Sequence, residues 1–363
     1  MTNTTVYAIF SEREGKLPFE KSCGAAAGKE RGKAMLESAL QVGSLLLKNR
    51  LVMPPMATER SKSGEVSDAL VQYYDEMSAG GWLGLIVQEH AFITLEGKAS
   101  PNQISFAEDA GIPGLKRITE AIHKNGVPVI AQLNHAGNAA RREVTGMEAV
   151  SASSTLNPRA ATEKRDLPRE MTQADIDRVI GCFADAAERA REAGYDGVEI
   201  HSAHGYLLNQ FYSPLTNHRT DAYAGTSMEG RTRFHVQVAS AIRERTGKDF
   251  LIALRLGAAD YMEGGAVVSE VPEAAERFVE AGVDLLSISG GMCGFSRPGH
   301  EEPGWFTELS EAARTVAGLP VLLTGGICEK EDAERLLREG KADLIGVGRA
   351  FLADHGLPQK WMH

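Results

Sequence analysis

Eight apolar runs, most of them unbroken stretches of Val, Ile and Leu, recur along this chain with helical patterns between them, and that alternation limits the fold more than any other feature. The runs lie at 50–55, 83–89, 128–133, 197–201, 250–256, 284–289, 320–324 and 343–347. Continuous rather than alternating apolarity suits parallel strands covered on both faces. Helical patterns fall near 67–79, 114–125, 228–246, 270–281, 306–317 and 330–339. The clearest begins at Thr172 as N-cap, has Asp175 three residues on, shows one apolar face (Ile176, Val179, Ile180, Phe183), and ends before Gly194. Eight strand–helix units fill about 310 residues, within the ~200 to over 400 residues usual for a closed (β/α)8 barrel. The expectation is therefore an α/β chain forming one TIM barrel over residues 36–363, with its chemistry at the strand C-termini. Residues 1–35 are polar, Gly/Ala-containing and without periodicity, and read as a flexible extension outside the core.

Composition narrows the function classes. A formal charge of -10, with no basic patch of useful size, argues against nucleic acid and anionic lipid as partners. Cys23, Cys182, Cys293 and Cys328 stand far apart, without the spacing of a zinc or iron–sulfur site. No signal-peptide layout opens the chain and no apolar run approaches the ~18 residues of a membrane span. The expectation is a cytoplasmic protein acting on a small molecule, and the sequence is compatible with a homo-oligomer.

The loops carry the candidate chemistry. Connections 136–170 and 202–227, after the third and fourth strands, are longer than packing needs and read as lids. The fourth strand runs into His201-Ser202-Ala203-His204-Gly205-Tyr206, two imidazoles and a phenol in one loop. The alternatives are zinc on the two histidines, which lack a third ligand, and a packed tyrosine. The last two strands end in Gly325-Gly326 and Gly348-Arg349, where glycines let backbone amides approach a phosphate and an arginine can bind it with two parallel bonds. Tight turns alone would also use those glycines. Gln132 ends the third strand and Arg255 lies in the fifth. An amide there can read a heterocycle's edge and a guanidinium can steady negative charge, or Arg255 can simply pair with Glu199.

In this order, Asn49-Arg50-Leu51-Val52-Met53-Pro54-Pro55-Met56-Ala57, Gln132-Leu133-Asn134-His135-Ala136-Gly137, the His201 to Phe211 segment and the closing glycine pairs strongly resemble the Old Yellow Enzyme family, over residues 36–358. The resemblance implies FMN at the barrel mouth, reduced by NADH or NADPH and reoxidised by an electron-poor alkene such as an enone or enoate. It places Pro55, Met56 and Ala57 along the flavin, Gln132 on its pyrimidine edge, Arg255 near the charge of the reduced ring, and Gly325, Gly326, Gly348 and Arg349 on its phosphate. His90 stands where a small residue often lines the flavin and is expected to contribute backbone. His201 and His204 would bind the acceptor oxygen and Tyr206 would donate the proton.

Two positions depart from the family pattern. Ala57 replaces a Thr or Cys that bonds the flavin in many relatives, which implies a different potential, and Asn134 replaces a Trp, which implies a wider, more polar pocket. With no cysteine cluster before His363, hydride is expected to pass directly from nicotinamide to FMN. Two other classes use the same residues. One is a flavin-free barrel lyase or isomerase acting on a phosphorylated metabolite; the other is a flavin-binding module without turnover.

Overall fold

Strand formation follows the apolar runs closely. In the computed structural model, which describes residues 35–158, 166–316 and 318–362, eight parallel strands close into a barrel: Leu51–Met53, Leu85–Phe92, Val129–Asn134, Gly197–Ser202, Leu251–Gly257, Leu285–Ser289, Val321–Thr324 and Leu344–Gly346. Each pairs with its chain neighbours, and the eighth closes on the first through Ile345–Leu51 and Gly346–Val52. The extension expected over residues 1–35 lies, but for Met35, outside the described residues.

Alternate residues of each strand face inward and outward, and both faces are buried, which is why the runs read as continuous. Leu51, Ile86, Val198, Ile252, Leu286 and Leu323 pack outward against the helices. Val52, Leu85, Ile130, Leu251, Leu285, Leu322 and Leu344 form the inner layer toward the strand N-termini. The helix opened by Thr172 spans Gln173–Glu192, and its cap is a reciprocal box: Asp175 N–H donates to Thr172 Oγ1 at 3.2 Å and Thr172 N–H to Asp175 Oδ2 at 2.8 Å.

One element was not anticipated. Leu40–Val42 and Leu45–Leu47 form an antiparallel hairpin, and its Val42 and Leu47 pack on the inner apolar layer. The hairpin plugs the N-terminal end of the barrel. Its signal was a two-residue Gly43-Ser44 turn between apolar pairs, with Gly43 at φ 52°.

The same end carries a repeated clasp. Asp196, Asp284 and Asp343 each precede an even-numbered barrel strand. Each accepts a backbone N–H from the strand before it, from Val129 at 2.8 Å, Ile252 at 2.9 Å and Val321 at 3.0 Å. Each also pairs with a basic side chain from the intervening helix or its C-terminal turn: His123 at 2.8 Å, Arg243 at 2.6 Å and Arg314 at 3.0 Å. Asn49 does the equivalent work between the first two strands, accepting Leu51 N–H at 3.0 Å and donating to Trp82 O at 2.8 Å. The clasps tie the strands in pairs where no chemistry takes place.

Candidate active site at the barrel mouth

Above the apolar layer the inward positions turn polar, and strand register decides which of them meet. Gln132 pairs in register with Glu199, and His201 with Arg255. Gln132 Nε2 donates to Glu199 Oε1 at 2.7 Å. Among the described residues no ion pair joins Arg255 to Glu199, so the salt-bridge alternative for Arg255 is not what forms. Arg255 instead reaches Ser289 Oγ at 3.5 Å through Nη2, and its buried Nε has no partner. Burial lowers its pKa and the Glu199 charge opposes that shift. Burial raises Glu199, with the Arg255 cation acting against it.

The fourth strand delivers the imidazoles and phenol to one place. The His201 and His204 rings lie 5.2 Å apart, edge to face, and His201 and Tyr206 lie 5.0 Å apart. His204 takes a left-handed backbone, φ 60°, followed by Gly205 at φ 77°, and this reversal folds the loop back over the strand end. His204 Nε2 sits 2.7 Å from Ser289 Oγ, so Ser289 links the Arg255 guanidinium to the imidazole. Ser289 was missed in the sequence; its signal is the second of two alternating hydroxyls, Ser287 and Ser289, in the sixth strand, the one that closes it before Gly290-Gly291. His201 is buried and its Nδ1 has no partner. Burial first, then the His204, Arg255 and His90 charges, holds its pKa well below the ordinary imidazole value, so it stays neutral.

His90, expected to line the flavin through its backbone, also brings its side chain to the site. The second strand bulges between Gln88 and Ala91. This turns the imidazole into the mouth, 5.6 Å from Tyr206 and 6.3 Å from His201. Neighbouring Glu89 points elsewhere: it accepts Thr58 N–H at 2.8 Å and Thr58 Oγ1–H at 2.7 Å. It thereby pins the loop that holds Pro55, Met56 and Ala57, and burial pushes its pKa up to about 7. Neither Thr58 nor Glu89 was singled out in the sequence.

The remaining expected residues gather on the opposite side. A Cβ on Gly348 would stand 3.2 Å from Met56 Sδ, so the first and eighth loops touch there. Gly325 and Gly326 have φ of 127° and 69°, and a Cβ on Gly326 would meet the Trp305 indole at 2.7 Å. The turn and the Trp305 contact both demand glycine. The Arg349 guanidinium lies 5.0 Å over the Trp305 ring, and Trp305 Nε1 is buried without a partner.

The two long loops are built rather than loose in their described parts. The third-strand loop carries short elements at Gly137–Ala139, Arg142–Thr145 and Val150–Ser151, and the fourth carries the helix Leu207–Tyr212. Buried Gln210 brackets them. It accepts from Asn138 N–H at 3.1 Å and Ser151 Oγ at 2.9 Å, and donates to Ala136 O at 3.1 Å and Gly205 O at 2.7 Å. All four hydrogen-bonding positions of its amide are used.

A separate cleft of about 330 Å³ lies beside the seventh-strand loop. Its wall mixes Arg297, Arg335 and Lys341 with Glu302, Glu308 and Glu339; none of His90, His201 and His204 lines it, and Trp305, which does, adjoins Gly326 and Arg349. Among the described residues no cluster of three or more His, Cys, Asp or Glu could hold a metal, and no helix is long and apolar enough to cross a membrane.

The sequence profile of the NADH:flavin oxidoreductase / NADH oxidase family matches residues 36–363. This chain belongs to that family. It is 38% identical over 327 residues to the NADH oxidase of Thermoanaerobacter brockii, a match covering 88% of this chain and 49% of that one. It is 36% identical over 317 residues to the NADPH dehydrogenase of Clostridium acetobutylicum, covering 86% and 90%. The chain thus spans about half the length of the first relative and almost all of the second. Among solved structures it resembles a 2-naphthoyl-CoA reductase complex at a TM-score of 0.82 and 30% identity, covering 90% of this chain and 52% of that one. It also resembles the Old Yellow Enzyme homologue of Zymomonas mobilis at 0.76 and 28% identity, covering 90% and 92%. Membership makes the barrel an Old Yellow Enzyme barrel, with FMN as the family cofactor and NAD(P)H as its reductant, and displaces the flavin-free lyase reading. The mouth fits such a group. A buried guanidinium with an open Nε can face ring charge, and the half-buried Gly325, Gly326 and Gly348 put no side chain of their own over the backbone at the ends of the seventh and eighth strands.

Proposed function

We propose that the chain takes hydride from NAD(P)H onto FMN and delivers it to an alkene conjugated to a carbonyl or similar group. The observation that carries this reading is the cluster of His201, His204 and Tyr206 at the end of one strand, with Arg255 and Ser289 behind it. FMN, when bound, supplies the hydride relay. Gln132 and Arg255 would hold its ring, with Pro55, Met56 and Ala57 alongside and Gly325, Gly326, Gly348 and Arg349 at its phosphate.

The chain's own groups then do three things. His201 and His204 donate hydrogen bonds to the acceptor oxygen, where negative charge grows as hydride reaches the β-carbon. A neutral imidazole suits this work, since it offers a donor without carrying a charge that would bind the ground state equally well. Tyr206 gives its proton to the α-carbon, the double bond is consumed, and the phenolate recovers a proton from water.

The test is direct. The purified protein should absorb in the flavin bands, lose that colour on anaerobic NADH or NADPH, and regain it in stopped-flow mixing with enones or enoates. A protein that binds no flavin, or a reduced flavin that only oxygen reoxidises, sinks the reading.

A further inference from the structure

The reading above leaves the imidazole of His90 without a part, although it faces Tyr206 and His201. Its proton can be placed from its neighbours. Gln103 Oε1 accepts Ala99 N–H at 2.7 Å, which fixes that buried amide with its nitrogen toward His90. Gln103 Nε2 then lies 3.3 Å from His90 Nδ1, and Asn134 Nδ2 lies at the same distance. An amide nitrogen can donate but not accept, so Nδ1 is the acceptor. Burial, followed by the nearby Arg255 cation, lowers the His90 pKa to about 4, so the ring is neutral at neutral pH. A neutral ring with Nδ1 accepting carries its proton on Nε2. His90 is only half-buried, and no described residue takes a hydrogen bond from Nε2. The free N–H opens into the mouth.

We propose that His90 is a third hydrogen-bond donor to the electron acceptor and tunes the site toward acceptors with a second oxygen, such as enediones and quinones, over single-carbonyl enones. It rests on the reading of the preceding section. With one oxygen between His201 and His204, the His90 ring, its centre 6.3 Å from that of His201 and 5.6 Å from that of Tyr206, stands on the scale of a six-membered ring away. Asn134 stands on the same side, its Nδ2 3.3 Å from His90 Nδ1.

The test compares the kcat/KM ratio for a cyclohexenedione over cyclohexenone in the FMN-loaded wild type, His90→Ala and His90→Gln. One neutral hydrogen bond is worth about three- to tenfold, so the ratio should fall by that much in His90→Ala. It should recover by at least half in His90→Gln, whose amide restores a donor. A second readout needs no turnover: nitrogen-15 NMR of histidine-labelled protein should show His90 with Nε2 protonated and Nδ1 bare at neutral pH. An unchanged ratio in His90→Ala, or a His90 signal with the proton on Nδ1, overturns this proposal alone. A protein without flavin, or one inert to both acceptors, overturns the preceding reading and this one with it.

Discussion

The two ends of this barrel are built on opposite terms. At the N-terminal end the polar groups answer one another: Asp196, Asp284 and Asp343 each hold a strand N–H and a basic side chain, and the hairpin covers the apolar layer. At the C-terminal end buried polar atoms stand open, among them Arg255 Nε, His201 Nδ1 and Asn134 Oδ1. Among the described residues, the non-glycine ones in left-handed backbone, Glu59, Ser63, His204 and Tyr261, all lie in loops at that end. An unmet buried donor or acceptor costs roughly 1–3 kcal/mol and a strained backbone a similar amount. The left-handed residues and these three open atoms thus lie where a ligand can offset them, while the repeated clasp lies at the other end.

Substitutions at the two ends should therefore separate rate from stability. The largest effect belongs to His201→Ala, which removes one donor to developing negative charge. Enone turnover should fall by about 10²–10³, while anaerobic flavin reduction by NAD(P)H continues and thermal unfolding shifts little. Unchanged turnover would dissolve the contrast. Asp284→Ala is the mirror case. It strands Ile252 N–H and removes the carboxylate facing Arg243, whose guanidinium keeps the carbonyls of Gly247, Phe250 and Gly282, and should cost about 2 kcal/mol in denaturant unfolding, with kcat preserved below the melting range.

A smaller effect sharpens the comparison through pH. Glu89 has a folded pKa of about 7 against an ordinary 4.5, so between those values the folded state binds more protons than the unfolded chain. Stability is then greatest at the acid side and declines as pH rises through the folded pKa, by roughly 2–3 kcal/mol for this group. Glu89→Gln should flatten that slope between about pH 5 and 7, as read by urea unfolding at several pH values. An equal slope in both proteins would mean that burial of this carboxylate carries no such cost.

Much of this was legible in the chain. The barrel, the helix opened by Thr172 and the convergence of His201, His204 and Tyr206 follow from unbroken apolar runs and the loops that end them. The clasps were legible too, though unread: Ala193-Gly194-Tyr195-Asp196 and Ala281-Gly282-Val283-Asp284 repeat one phrase before two even strands. His90 was not readable by period-two counting. Counting puts Gln88 and His90 on one face, yet Gln88 takes the Tyr195 hydroxyl outside the barrel while the bulge sends His90 inside. Ser289 and Trp305 depend on contacts between loops distant in sequence, which no local pattern records.

The hairpin at residues 40–47 finishes an interior that is filled rather than hollow. Val42 and Leu47 lie on the apolar layer of Val52, Leu85, Ile130 and Leu251 and shield it from water. Because such a cylinder is solid with side chains, the face that remains for a ligand is the one ringed by the strand C-termini.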